Sequence, residues 1–270
     1  MLKSTLVTVL TVIFALTVAS AAKAQVLIGG FQGAGDPTDA GWFNAQTGQP
    51  ITSDASCSFP SGAVAGFAQS LAIAVPAGNA GSFGYPTLQL QFTPAEIAAF
   101  YNNSWITFTF SVPGGTYTGG YSQIYNLVLN APGYGYNNQS WANAVEMGNT
   151  NNTAPGTDPN YYFSAGSNAP RTMVVSFNYS SVEAAIQAGI SNSVATNGSS
   201  YLQMNFQGNQ GGGAPVAPAW YLNSVVLSQG PFGQFSPPTA NVFTVDDFFA
   251  WPLRALSELL TWQKCPKSPC

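Results

Sequence analysis

Ile106-Thr107-Phe108-Thr109-Phe110-Ser111-Val112 alternates apolar and hydroxyl side chains without a break. A period of two marks a strand with one face in a core and the other turned away, because successive Cβ atoms point to opposite sides of a pleat. The residue types agree, since β-branched and aromatic side chains suit that pleated surface. Similar runs predict strands at 69–75, 87–92, 124–130, 172–178, 201–206 and 220–227, with weaker signals at 26–31 and 141–147. Gly, Pro and Asn separate them as turn residues do. This pattern predicts an all-β fold, an antiparallel β-sandwich of the jelly-roll kind.

Two short helices are expected between strands. Thr93-Pro94-Ala95-Glu96 is a capping box with proline at the first helical position. Ser180-Ser181-Val182-Glu183 reads as a second box, with Gly189 as its stop. Both glutamates then have a structural task, satisfying free amides at a helix start.

The ends differ from this body. Lys3, an apolar run over 6–18 and Ala22-Lys23-Ala24 compose a secretory signal peptide over residues 1–24. The run is too short for a spanning helix. The mature chain is therefore expected outside the cell or at its surface, with no transmembrane span. The β-sandwich domain is assigned to 25–228, and residues 229–243, with Pro237-Pro238, read as a Pro/Gly linker. The tail, 244–270, carries Val245, Phe249, Leu253, Leu256 and Leu260 on one stripe. That predicts an amphipathic helix that docks on a partner or on its own body, with Pro252 kinking it or delaying its start.

Charge is sparse. Between Gln25 and Pro237 stand seven acids and one base, Arg171. One base cannot neutralise many phosphates, so nucleic acid is excluded as a partner, and an anionic surface is disfavoured. Polar character comes from Asn, Gln, Ser, Thr and Tyr, which suit neutral, hydroxyl-rich ligands. The chain has no histidine, which removes Ser-His-Asp and Cys-His nucleophilic sites and histidine-ligated metals. The three cysteines, Cys57, Cys265 and Cys270, form no C-x-x-C pair and leave their disulfide pairing open.

The segment 130–141, NAPGYGYNNQSW, gathers Tyr134, Tyr136 and Trp141 around Asn137, Asn138 and Gln139 on a Pro-Gly loop. Flat apolar rings beside amides match the C–H faces and hydroxyl edges of a sugar. These six residues are the candidate ligand site for a neutral polysaccharide or glycan. Ordinary packing of loop aromatics is the competing account. For catalysis a carboxylate pair is the available route. With Glu96 and Glu183 assigned to caps, Glu146 is the best placed of the remaining acids, and no hydrolase motif surrounds it. The expectation is a non-catalytic binding protein. A purely structural surface protein and a jelly-roll glycoside hydrolase are the alternatives.

Ile28-Gly29-Gly30-Phe31-Gln32, followed by Gly41-Trp42, resembles the first strand and loop of jelly-roll carbohydrate-binding modules of the galactose-binding-like type. Tyr221-Leu222-Asn223-Ser224-Val225-Val226-Leu227 resembles their last strand. The resemblance implies a sandwich that binds sugar. It also implies a structural calcium, which here would fall to Asp36, Asp39 and Asn223. Gln32 stands where the family has Glu, and Asn223-Ser224 where it has two acids or Asp-Asn, so such a site would be short of charge. No cofactor is required by this reading. The chain also resembles exported bacterial surface proteins of the PEP-CTERM type, but Asp246, Asp247, Arg254 and Glu258 interrupt the apolar span of that sorting signal.

Overall fold

A computed structural model describes residues 25–74, 83–112, 121–139, 144–149, 163–164, 171–211, 220–231 and 242–244. Residues 1–24, most of the expected linker and the rest of the expected tail lie outside these residues. In chain order the strands are β1 (Gln25–Gly29), β2 (Trp42–Asn44), β3 (Gln49–Pro50), β4 (Cys57–Ser58), β5 (Leu71–Ile73) and β6 (Phe83–Gln91). Helix α1 (Pro94–Tyr101) leads to β7 (Trp105–Val112), β8 (Tyr121–Ala131), β9 (Gly135–Asn138), β10 (Ala144–Asn149), β11 (Phe163–Ser164) and β12 (Arg171–Asn178). Helix α2 (Ser180–Asn197) leads to β13 (Gln203–Gly211), β14 (Trp220–Ser228) and β15 (Val242–Thr244).

The strands form two sheets. Sheet A has the order β10-β12-β7-β14-β1-β15, with β5 and β4 continuing beside β14. Sheet B has the order β11-β8-β13-β6-β2-β3, with β9 on the other side of β8. Pairing is antiparallel except for β15, which lies parallel to β1, Gln25 opposite Val242. The sequence reading divides Val242–Thr244 between linker and tail; a valine, a phenylalanine and a threonine in succession suit a strand. The strands at the two ends of the body meet, Val26 opposite Leu227.

The opening heptad decides the layering. Ile106, Phe108 and Phe110 of β7 enter the core, as do Met173, Val175 and Phe177 of β12 beside it. From sheet B, Phe206 stacks on Phe108 with centroids 4.4 Å apart, and its edge meets Phe110 at 6.2 Å. These ring contacts span the two sheets and make the fold an antiparallel β-sandwich. Burying such a ring is worth about 1.5–3 kcal/mol by area.

Both helices close one end of the sandwich. Thr93 caps α1, and Glu96 returns the bond to the Thr93 amide at 2.7 Å. Phe100 of α1 stacks on Tyr179 at 4.1 Å, and the Tyr179 hydroxyl donates to the Phe100 carbonyl at 2.8 Å. The start of α2 differs from the expected second box. Its N-cap is Tyr179, which makes no side-chain cap bond. Asn178 Oδ1 accepts from the Ser180 amide at 2.9 Å instead, so the capping amide lies two residues upstream of the predicted serine. Gly189 is not the stop either. It lies within α2, where a Cβ would fall 1.8 Å from the Pro132 carbonyl oxygen. The glycine is there for close backbone approach, and Gly198, at φ 71°, supplies the left-handed C-cap.

Candidate amide-lined face and its tyrosine

Alternation builds the outer face of sheet B. Met204 and Phe206 of β13 enter the core, so Gln203, Asn205 and Gln207 stand on the other side, Gln203 and Gln207 half-buried and Asn205 buried at 4% exposure. Leu88 and Leu90 of β6 leave Gln89 and Gln91 there, and Leu127 and Leu129 of β8 leave Val128 and Asn130. Register places Gln203 opposite both Gln91 and Asn130. The three amides join across the strands. Asn130 Nδ2 donates to Gln203 Oε1 at 2.9 Å, and Gln203 Nε2 donates to Gln91 Oε1 at 2.9 Å. A primary amide has two N–H donors and two acceptor lone pairs, so members of this row keep capacity for hydroxyls arriving from above. None of the described residues on this face is charged.

Tyr136 belongs to this face. It sits on β9 opposite Asn130, and its side chain is 55% exposed. Its hydroxyl accepts from Gln207 Nε2 at 3.0 Å. Gln207 is on β13, and β8 lies between β9 and β13, so the tyrosine side chain crosses a strand to reach it. Val128, on the outer side of β8, is fully buried, as a residue under that crossing would be. A ring anchored at both ends and open to solvent is a flat apolar plate among amides.

The other residues predicted for the ligand site divide. Asn137 and Asn138 are exposed beside Tyr136. Tyr134 and Gln139 turn inward. Tyr134 packs partly buried against the core, and Gln139 is buried at 6% exposure. Gln139 Nε2 donates to the Tyr134 hydroxyl at 3.2 Å and to the Asn137 carbonyl at 3.1 Å. These two hold the hairpin in shape. Gly133 and Gly135, at φ 71° and 80°, turn the chain around Tyr134. Trp141 lies outside the described residues. The sequence reading confines the site to the loop. The amides of β6, β8 and β13 join it only through the sheet, and their signal is the alternation that puts Gln203 and Gln207, and Gln89 and Gln91, on one side of their strands.

The opening loop has a different chemistry. Trp42 is buried, with Nε1 donating to the Ile28 carbonyl at 2.7 Å and its ring edge on Phe31. Phe31 takes φ 53°, an unusual conformation for a bulky residue. Its amide donates to Asp39 Oδ1 at 2.8 Å, and the Gly33 amide donates to Asp39 Oδ2 at 3.2 Å. Asp36 caps the Pro37–Asp39 turn, accepting from the Thr38 amide and hydroxyl and from the Gln32 amide. Burial, then the neighbouring Asp36 charge, push the Asp39 carboxyl up to about 7 against the two amide bonds. Asn223 stands in a bulge of β14, its Nδ2 donating to Ser111 Oγ at 2.8 Å, while its Oδ1 is buried without a partner among the described residues. A calcium ion needs six to eight oxygen ligands with ample charge. Here both carboxylates are engaged by their own loop and one is held toward neutrality. As arranged, Asp36, Asp39 and Asn223 do not fit the ion.

Two of the other described carboxylates serve structure, while Glu183, assigned by sequence to the second box, makes no cap bond. Glu96 is a buried cap. Asp54 accepts from Thr47, Ser56 and the Ser56 amide. The Glu146 side chain and Asp158 lie outside the description.

No protein-family model and no curated protein matches the chain. Among solved structures, a carbohydrate-binding module described for specific mannan recognition, TmCBM27, aligns with 77% of this chain and 97% of its own at TM-score 0.33 and 12% identity. So loose a superposition transfers neither ligand nor site.

Proposed function

We propose that this protein is a non-catalytic, exported β-sandwich that binds a neutral polysaccharide on the outer face of sheet B. The observation that carries the reading is Tyr136, 55% exposed and anchored across β8 to Gln207. Its ring offers an apolar face to sugar C–H groups, and the row Asn130-Gln203-Gln91 offers hydrogen bonds to hydroxyls. Export rests on the signal-like residues 1–24. The reading as non-catalytic is supported by the structural use of Asp36, Asp39, Asp54 and Glu96.

Affinity electrophoresis through gels containing soluble mannan, glucan, galactan or xylan tests this. Retardation by at least one polymer is expected, unchanged between low and high salt because no ion pair forms. Tyr136→Ala should abolish the retardation while the melting temperature holds. No retardation in any gel would favour a purely structural surface protein. Retardation untouched by Tyr136→Ala would place the sugar elsewhere.

A further inference from the structure

Among the described residues three large apolar side chains are exposed, Tyr136, Val194 and Tyr201. The two tyrosines share one face. Leu202 is fully buried in the core, so its chain neighbours Tyr201 and Gln203 stand on the outer side of sheet B. The Leu202 carbonyl accepts from the Phe92 amide at 3.0 Å and from Gln91 Nε2 at 3.4 Å. These bonds fix the backbone that carries Tyr201, while its side chain is 38% exposed. A ring left so far in water adds little to the fold, because stabilisation by burial scales with the apolar area removed from water.

We propose that Tyr201 is a second sugar plate, and that Tyr136 and Tyr201 together take an internal stretch of a linear glycan running along β8 and β13. This rests on the binding proposed for Tyr136 and adds the form of the ligand. The Tyr136 hydroxyl reaches Gln207 across β8, which lays its ring over Val128, two residues from Asn130. Asn130 is opposite Gln203, and Val128 is opposite Asn205. Tyr201 lies two residues from Gln203 in the other direction. Four residues of strand therefore separate the two plates by about 14 Å, and one sugar ring cannot touch both. The amides of Asn130, Gln203 and Gln91 lie between the plates, joined in a row at 2.9 Å and 2.9 Å. They meet the hydroxyls of the units that bridge the gap.

Such a face selects for chain length. A monosaccharide or a disaccharide covers one plate. A longer chain covers both, and its second contact forms without a second loss of translational freedom. The ring, rather than the hydroxyl, is what position 201 supplies, since stacking uses the flat apolar face.

Isothermal titration of the full chain with linear oligomers of mannose, glucose, galactose and xylose, from the monosaccharide to the hexasaccharide, tests the proposal. In the series that binds, affinity should rise steeply from the disaccharide to the tetrasaccharide and then level off. Tyr201→Ala should weaken the hexasaccharide at least about fivefold and remove that rise, with disaccharide binding and the melting temperature unchanged. Tyr201→Phe should keep the affinity of the unaltered chain. A second measurement uses no variant: the hexasaccharide should slow acetylation of both Tyr136 and Tyr201 by N-acetylimidazole, read by mass spectrometry. Protection of Tyr136 alone, or a hexasaccharide unaffected by Tyr201→Ala but lost with Tyr136→Ala, would overturn the second plate and leave the first standing. A monosaccharide bound as tightly as the hexasaccharide would do the same. Binding by no oligomer of any series would overturn both.

Discussion

On the proposed reading Tyr136 carries binding, because a rigid ring stacks on a sugar at little conformational cost. Tyr136→Ala should weaken polysaccharide binding at least about tenfold, or about 1.4 kcal/mol, with little change in stability, since the ring is mostly outside the fold. Isothermal titration against the best polymer, paired with thermal melts, measures both. At the opening loop, Asp39 makes stability depend on pH. Its folded carboxyl is raised from 3.8 to about 7 by burial and by Asp36. Between those values the folded state binds more protons than the unfolded chain. The contribution is therefore full below about pH 4 and is lost as pH rises toward 7. The melting temperature should rise as pH falls from about 8 to about 5, and Asp39→Asn should flatten that slope. Because the carboxylates of Asp36 and Asp39 are engaged by the loop itself, adding calcium or a chelator should leave the melt unmoved. A shift of several degrees with calcium would show that the loop rearranges around the ion.

At the scale of elements, α2 shows how packing overrides local preference. Glycine inside a helix costs about 1 kcal/mol relative to alanine, and by propensity alone Gly189→Ala should stabilise. The Pro132 carbonyl stands 1.8 Å from where that Cβ would sit, so the helix and the β8–β9 turn would have to part. Gly189→Ala should therefore destabilise by about 1–3 kcal/mol, read from urea melts, and should also loosen the loop that carries Tyr136. The first capping box is legible in sequence because all its partners lie within four residues. The second is not realised: Asn178 Oδ1 takes the Ser180 amide that the Glu183 carboxylate would accept from in a box, a competition between two acceptors that spacing alone does not decide.

For the whole molecule, the sandwich stands on ring contacts across the two sheets. Phe206 touches Phe108 and Phe110 and is 1% exposed. Phe206→Ala should cost about 3–5 kcal/mol and abolish binding along with folding. In that it contrasts with Tyr136→Ala, which should spare the fold. Circular dichroism with denaturant separates the two outcomes.

The chain's own residues determined the strands, because a period of two and a turn residue are written within a few positions. They also determined that no site can be strongly basic, since the body holds a single base, Arg171. The tyrosine and the exposed asparagines of the hairpin were legible as ligand candidates from composition. Only tertiary structure decided that Tyr134 and Gln139 turn inward while Tyr136 lies open. Only register decided that Asn130, Gln203 and Gln91 form one row, for they are separated by 73 and 112 positions. The physical reason is range. Alternation and capping act along a few residues, whereas a binding face is made by strands that hydrophobic burial brings side by side, and nothing local to either strand records which partner it will meet.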